Sequence, residues 1–231
     1  VVRSADPRHP LLPLGSDSLG RDQWTRLLYG GRLSLGLAAC GLAGALLLGG
    51  AAGLLAGARG GRLDTGLMRV ADLFIAWPAL YVVLVLRAAM PLSLPFATLF
   101  LLMTTVLAVS GWPIVARAVR AVTLSERNRD YVLAARAAGA PPGWILRRHL
   151  WPAARPVLVT QGLLLLPAFI LAEATLSFVN LGFTDPTPSW GTMLREAQTT
   201  FALQQAPWLL SPAVAIALTT LAVNLLADRD R

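Results

Sequence analysis

The chain has 231 residues, of which 55% are hydrophobic and 14% are charged, and its formal net charge is +8. Soluble domains carry about 25% charged residues, so this composition excludes an ordinary water-soluble domain and indicates an integral membrane protein. All 20 basic residues are Arg. The absence of Lys excludes a P-loop, which needs a Lys for the nucleotide phosphates, and it excludes Schiff-base chemistry.

Other chemistry-bearing residues are sparse. Cys40 is the single cysteine, and His9 and His149 are far apart in the sequence, so no group of residues has the spacing of a metal site. No nucleophile and base stand in a recognisable pattern. The sequence therefore predicts no catalytic residue, no metal and no cofactor on this chain. The arginines gather at the ends of apolar stretches, which is typical of membrane orientation and not of nucleic-acid binding.

Five apolar stretches approach or exceed the roughly 20 residues that cross a bilayer core. Each must be helical in lipid, because unpaired backbone groups there cost on the order of several kcal/mol. The predicted spans are 33–58, 71–89, 97–119, 157–180 and 209–226. In the first, Gly49, Gly53 and Gly57 follow Ala45 at a spacing of four. Small residues at that spacing form a smooth face, which predicts close packing against a second helix.

The distribution of Arg predicts the orientation. The loops after the first and third spans are rich in Arg, whereas those after the second and fourth hold only Arg87 and Arg195. Arg-rich loops lie in the cytoplasm, so the C-terminus is cytoplasmic and the N-terminal segment is outside. That segment holds five Arg and three Asp, a mild conflict that predicts a further span before residue 1. The predicted division is an extracytoplasmic segment 1–32, a transmembrane domain 33–226 with a cytoplasmic loop 120–155 and an external loop 181–208, and a cytoplasmic tail 227–231.

A polar segment, DYVLAARAAGAPPGWILRRHLWP (130–152), separates the third and fourth predicted spans. Asp130 is predicted to cap a short Ala-rich helix, which ends at Gly139, a residue suited to the position after a helix. Pro141 and Pro142 forbid continuation of that helix. A second short helix is predicted from Gly143 until Pro152 interrupts it. Helices this short are marginal in water, so they must dock on the spans or on another protein, whereas a basic loop on anionic lipid would not need this helix–turn–helix pattern.

The same segment resembles the EAA loop of binding-protein-dependent ABC importer permeases. In that pattern an EAA triplet precedes a Gly by three residues, and I-x-L-P follows the Gly after nine. Here Gly139 and Pro152 have the expected separation, and Ala134 and Ala135 occupy the two Ala positions. The chain departs from the pattern at three positions: Leu133 replaces Glu, His149 replaces Ile and Trp151 replaces Leu. The first departure leaves open any ion pair that the Glu makes.

Three further stretches resemble the peptide/nickel branch of that family, specifically the C-type permeases of dipeptide and oligopeptide importers. They are HPLLPLGSDSLGRDQWTRLLYGGRLSL (9–35), ILAEATLSFVNLGF (170–183) and PTPSWGTML (186–194). The resemblance covers nearly the whole chain. It implies an all-α membrane protein, a polytopic helical bundle with the type I ABC importer permease fold. Five transmembrane helices are expected in this chain, with a sixth N-terminal to residue 1.

The resemblance also implies partners in a prokaryotic plasma (inner) membrane. They are a homologous permease subunit, two ATP-binding subunits that bind and hydrolyse the ATP, and an extracytoplasmic solute-binding protein. The segment 130–152 would couple the permease to the ATPase. Its implied coupling residues are Asp130, Tyr131, Ala134, Ala135, Arg136, Gly139, Ala140, His149 and Pro152.

Peptides are the expected substrate, with nickel or another small solute of the same branch as an alternative. A self-sufficient secondary transporter is a second alternative. It would need its own coupling sites, such as paired intramembrane carboxylates or inverted repeats, and the sequence has neither.

Glu173 lies well inside the fourth predicted span, where ionisable residues are rare and face a protein interior or a wet cavity. It could contact the peptide amine or gate the path. Alternatively, it makes a hydrogen bond to Ser, Thr or Asn of a neighbouring span. The surrounding motif is more typical of packing, which favours the hydrogen bond.

Overall fold

The computed structural model describes residues 12–76, 81–82, 85, 94–198 and 206–229. These residues fold into helices joined by turns, in agreement with the predicted all-α class. The helices are α1 Gln23–Arg59, α2 Gly61–Ala76, α3 Phe96–Glu126, α4 Asp130–Ala137, α5 Pro142–Phe178, α6 Trp190–Glu196 and α7 Ser211–Arg229, the last preceded by a 3₁₀ turn, Pro207–Leu210.

Four helices in the described ranges are long and apolar enough to cross a membrane: α1, α3, α5, and α7 together with its preceding turn. They correspond to the first, third, fourth and fifth predicted spans. The second predicted span, 71–89, lies partly in α2 and otherwise largely outside the described residues, so the total of five stays a prediction. Helix α1 begins at Gln23, well before residue 33, because the Asp22 carboxylate accepts hydrogen bonds from the backbone N–H groups of Trp24 and Thr25. Hydropathy detects only the apolar part of this helix.

Helices α1 and α3 pack together along the glycine face of α1. A Cβ atom added at Gly49 would lie 2.5 Å from the carbonyl oxygen of Trp112, and one at Gly53 would lie 2.5 Å from that of Ala116. At Gly57 an added Cβ would lie 2.5 Å from the Thr123 Cβ. No real Cβ fits at these distances, so the two backbones approach this closely only because α1 has glycine there.

The main hydrophobic core lies where α1, α3 and α5 meet. Leu37 of α1, Val115 of α3 and Ile170 of α5 are fully buried in it. Many other apolar side chains on the outer faces of these helices are exposed, including Leu47 of α1 and Leu101 of α3. An apolar outer surface around a packed interior is expected of a bundle whose solvent is lipid.

Helix α5 is continuous through Pro152, so the predicted interruption at this residue is wrong. Pro152 has no N–H, and its ring would clash with the carbonyl group four residues earlier in a regular α-helix. The residues just before it, Leu146–Leu150, form a π-helical turn instead, in which the Trp151 N–H donates to the carbonyl oxygen of Leu146, five residues earlier. This wider turn accommodates the proline. A single 37-residue helix therefore runs from Pro142 to Phe178.

Candidate functional site

The segment after α3 folds as a helical hairpin, which we define as residues 130–150 and call the cytoplasmic hairpin, after the side of the membrane on which the distribution of Arg predicts it. Its first helix, α4, ends in a pair of overlapping turns: the Gly139 N–H donates to the Arg136 carbonyl oxygen (2.9 Å) and the Ala140 N–H to that of Ala135 (3.0 Å). Gly139 has a φ of +83°, which confirms the expected left-handed conformation after a helix. Pro142 then occupies the first turn of α5, where its missing N–H costs nothing.

The hairpin has a small core of its own. Val132 of α4 packs against Ile145 and Leu150 at the start of α5, and Ala58, Ala140 and Leu146 pack against these three. Val132 is the single buried residue of α4. Since Ala58 is close to the C-terminal end of α1, this cluster also seats the hairpin on that end of the bundle.

An aromatic patch, which we define as Tyr131, Trp144 and His149, lies on the surface of the hairpin. The His149 ring is 5.2 Å from both the Tyr131 ring and the Trp144 ring, measured between centroids. Tyr131 is 48% exposed and Trp144 49% exposed. The His149 Nε2 atom is buried and has no hydrogen-bond partner within the described part of the chain. Aromatic groups so placed offer contact area that the hairpin core does not use.

The hairpin that carries the aromatic patch is also positively charged. Arg136, Arg147 and Arg148 are exposed, and none of the three forms an ion pair with another described residue. Interfaces are enriched in Tyr, Trp and Arg, so this combination is typical of a surface that another molecule covers.

The remaining predicted residues of the segment lie as follows. Asp130 is the first residue of α4 and Arg129 precedes the helix with an extended backbone, so the prediction that Asp130 is the capping residue is wrong by one position. Its carboxylate still lies at the positive end of the helix dipole. Ala134 is exposed, Ala135 is half-buried, and Pro152 is exposed on the outer face of α5. Leu133, which stands where the family pattern has Glu, is 46% exposed.

Glu173 is not near the hairpin; it lies toward the other end of α5 and is 1% exposed. Its Oε1 atom accepts a hydrogen bond from the Ser177 hydroxyl, 2.8 Å away and one turn along the same helix. The hydroxyls of Ser34 in α1 and Ser189 before α6 face the same carboxyl group. Oε2 has no hydrogen-bond partner among the described residues. Glu173 thus lies in a buried serine cluster.

An ion-pair cluster, to which no role was assigned from the sequence, joins the N-terminal segment to the loop 181–208 that is predicted to be external. Its charged members are Asp17, Arg21, Arg26, Asp185 and Glu196. Arg26 bridges Asp17 and Glu196, whose Oε2 is 3.2 Å from its guanidinium. Arg21 contacts Asp17 at 2.5 Å and Asp185 at 3.2 Å. The stretch 9–35 contained the three N-terminal members, but nothing in the sequence predicted partners more than a hundred residues away.

Asp17 is the centre of this external ion-pair cluster, and its side chain is fully buried. Burial by itself raises the pKa of the Asp17 carboxyl. Hydrogen bonds from the backbone and guanidinium of Arg21, the guanidinium of Arg26 and the backbone of Leu19 outweigh burial and hold that pKa below its ordinary value. Asp17 therefore stays ionised to a lower pH than an ordinary aspartate does.

A second ion pair fixes α2 to α3. The Arg120 guanidinium donates to both carboxylate oxygens of Asp64, and its distance to Oδ2 is 2.7 Å. Paired donors in a fork-to-fork arrangement set orientation as well as distance. Arg117 and Asp72 form another α2–α3 pair.

The chain matches a known protein family and several named relatives. Residues 49–229 match the family described as "Binding-protein-dependent transport system inner membrane component". The dipeptide transport system permease protein DppC of Bacillus subtilis is 37% identical over 233 residues, which cover 99% of this chain and 71% of that protein. The oligopeptide transport system permease protein OppC of the same organism is 36% identical over 215 residues, covering 93% and 68%. The di/tripeptide transport system permease protein DppC of Pseudomonas aeruginosa is 36% identical over 218 residues, covering 93% and 69%.

A solved structure has the same fold. An inward-facing structure of the MetNI methionine ABC transporter contains a chain that superposes with a TM-score of 0.70, at 20% sequence identity, over 89% of this chain and 94% of that one. The fold is therefore that of a type I ABC permease, as expected. With a family match over most of its length and relatives above 30% identity, the chain belongs to the binding-protein-dependent transport system inner membrane components, the multi-pass permease subunits of ABC importers.

Proposed function

We propose that this chain is the permease subunit of an ATP-driven importer of di- and oligopeptides. It would form the transmembrane path together with a homologous permease. The similarity to DppC and OppC over at least 93% of the chain supports peptides as the substrate class. Nickel or another small solute remains the alternative within the same branch.

The observation that carries the coupling part of this proposal is the cytoplasmic hairpin. Helix α4 buries only Val132, and an eight-residue helix does not persist in water without packing. The hairpin is nevertheless held in one conformation by its own small core, the Gly139 turn and the junction with α5. A rigid element with an exposed aromatic patch is suited to a groove in another protein.

We infer that the groove belongs to an ATP-binding subunit and that the patch with its neighbouring arginines is the contact surface. Two such subunits would bind and hydrolyse the ATP, and this chain would contribute no nucleotide-binding group. Closure of the ATPase pair would then carry the hairpin with it and bias the spans between inward-open and outward-open states. Such a bias is limited to the difference in affinity of the ATPase for the two states.

The exposed Leu133 bears on the nature of that groove. Its side chain makes no contribution to the hairpin core, so the fold does not require Leu at this position. An aliphatic group in place of Glu would meet an apolar part of the ATPase surface and form no ion pair there.

Reconstitution tests the proposal. The permease is expressed with a homologous permease, an ATPase and a binding protein of the same organism, and labelled peptide uptake is measured in proteoliposomes. We expect uptake only when ATP, both permeases, the ATPase and the binding protein are all present. Uptake driven by an ion gradient in liposomes that contain this chain alone would contradict the proposal and favour a secondary transporter. Transport of nickel with no transport of peptide would change the substrate class but not the coupling.

A further inference from the structure

The buried serine cluster connects Glu173 to the external loop through three hydroxyl groups. Ser177 Oγ accepts the backbone N–H of Phe183 (3.2 Å), and Ser34 Oγ accepts that of Trp190 (3.1 Å). Ser189 Oγ accepts the backbone N–H of Thr192 (3.2 Å). Each of the three hydroxyls therefore holds one backbone group of the segment 183–192, while its oxygen faces the same carboxyl group.

Packing around the cluster leaves little freedom. The side chains of Ser34, Ser177 and Ser189 are fully buried. A Cβ added at Gly191 would collide with the Ala174 carbonyl oxygen of α5, and one added at Gly31 would lie 3.0 Å from the Trp190 ring. Helix α6 is thus wedged between α1 and α5 directly beside Glu173. The external loop cannot shift at this point without moving the end of α5.

No cation neutralises Glu173 among the described residues. A buried carboxyl without a cationic partner is held by hydrogen bonds alone. Such a group is costly to place in a membrane, and apolar side chains would make a simple packing contact between helices at a lower cost in free energy. The Glu173 carboxyl therefore acts as the centre of a hydrogen-bond network.

The other end of α5 is part of the cytoplasmic hairpin. Helix α5 runs without a break from Pro142, in the hairpin, to Phe178, five residues beyond Glu173. Its 37 residues span about 55 Å at 1.5 Å per residue. Energetic coupling between distant sites is carried by rigid elements and by packed hydrogen-bond networks. Here the rigid element, α5, ends in such a network, the buried serine cluster.

We propose that Glu173 is a positioning residue that transmits the movement of the cytoplasmic hairpin, through α5 and the serine cluster, to residues 183–196 of the predicted external loop. This inference rests on the proposed function, since it assumes that an ATPase moves the hairpin and that a binding protein acts at the external face. The carboxyl group makes the external loop and α5 one mechanical unit. The arrival of the binding protein outside then changes ATP hydrolysis inside, and the reverse also holds because such coupling is reciprocal for binding.

The test compares ATP hydrolysis with and without peptide-loaded binding protein in the complete reconstituted importer. In Glu173→Ala the stimulation by the binding protein should fall about fivefold or more, the usual scale of allosteric coupling, while the ATPase subunits still co-purify. Glu173→Gln should retain most of the stimulation, because its amide oxygen still accepts the Ser177 proton. Thr175→Ala serves as the control, since the Thr175 hydroxyl donates only to Leu171 within the same helix.

Ser34→Ala is the second variant, in case Glu173→Ala does not assemble. It removes the connection to α1 and leaves the Glu173 carboxyl in place, and the same loss of stimulation is expected. Normal stimulation in an assembled Glu173→Ala or Ser34→Ala importer would overturn the proposal. Loss in Glu173→Gln as complete as in Glu173→Ala would also overturn it and indicate a charged contact with the peptide. If the wild-type importer itself shows no ATP-dependent uptake, the proposed function fails first, and the two failures are thereby distinguished.

Discussion

The α1–α3 interface and the cytoplasmic hairpin differ in how closely their residues are packed. At the interface, glycines of α1 let the backbone of α3 approach until no further atom fits. In the hairpin, one buried residue of α4 secures a helix whose remaining residues are exposed or half-buried. The interface is filled by α1 and α3 themselves, whereas the hairpin presents contact area that no other described residue covers. A rigid frame and an uncovered surface are thus built from adjacent parts of one helix bundle.

The largest effect is expected from a substitution that disrupts the α1–α3 interface. In Gly53→Val the added side chain would collide with the Ala116 carbonyl oxygen and the Val119 Cβ, and overpacking of this kind costs about 1–3 kcal/mol or more. We expect loss of folded protein, measured as yield and thermal stability in detergent.

Gly36→Val provides the matched control for this effect. Gly36 lies on the same helix, and an added Cβ there meets no atom within 4 Å. The substitution is the same, so near-normal yield is expected. Equal losses in the two variants would mean that the glycines of α1 are needed for another reason than close packing.

A smaller effect is expected at the turn of the hairpin. Gly139 has a φ of +83° and open space around it, so a substitution there tests backbone conformation alone. Gly139→Val should strain the turn by roughly 1–2 kcal/mol and reduce ATP-dependent uptake several-fold, while protein yield stays normal. Gly139→Asn should transport nearly as well as wild type, because Asn tolerates the left-handed region. Equal uptake by all three proteins would show that the shape of the turn does not matter.

The smallest effect concerns pH and the external ion-pair cluster. The pKa of Asp17 is lower in the folded protein than its ordinary value of 3.8, so ionised Asp17 stabilises the fold above about pH 4. This contribution is lost as the pH falls through the lowered pKa, below about 4. Thermal stability should therefore depend less on pH between 4 and 3 in Asp17→Asn than in wild type. An unchanged acid dependence in the variant would mean that Asp17 contributes nothing to it.

The helical class, four of the five spans, the glycine face and the left-handed turn at Gly139 could be predicted from the sequence, because each depends on a local property of the chain. Hydropathy indicates burial in lipid, spacing indicates one face of a helix, and Gly at a helix end indicates a positive φ. Two predictions were wrong because the local backbone departs from the regular pattern. Pro152 was expected to end a helix, but a π-helical turn accommodates it, and Asp130 was expected to cap a helix that Arg129 precedes.

The partners of the buried polar groups could not be predicted from the sequence. Glu173 was expected to form a hydrogen bond with a Ser, Thr or Asn of a neighbouring span, whereas the donor at 2.8 Å is Ser177 of the same helix. The other facing hydroxyls come from Ser34 and Ser189. Their approach depends on how α6 is wedged between two spans, which follows from tertiary packing and not from any periodicity. The external ion pairs of Arg26 with Asp17 and Glu196 have the same origin.

Site-specific cross-linking from the aromatic patch tests the coupling role of the hairpin most directly. A photoreactive amino acid is placed at Tyr131 in the complete importer, and the same group is placed at Leu101, an exposed apolar position near the start of α3, as the control. We expect a cross-link from position 131 to the ATP-binding subunit, weakened or strengthened by ATP, and none to that subunit from position 101. Cross-links from position 131 to lipid alone would contradict ATPase docking and make the hairpin an interfacial anchor.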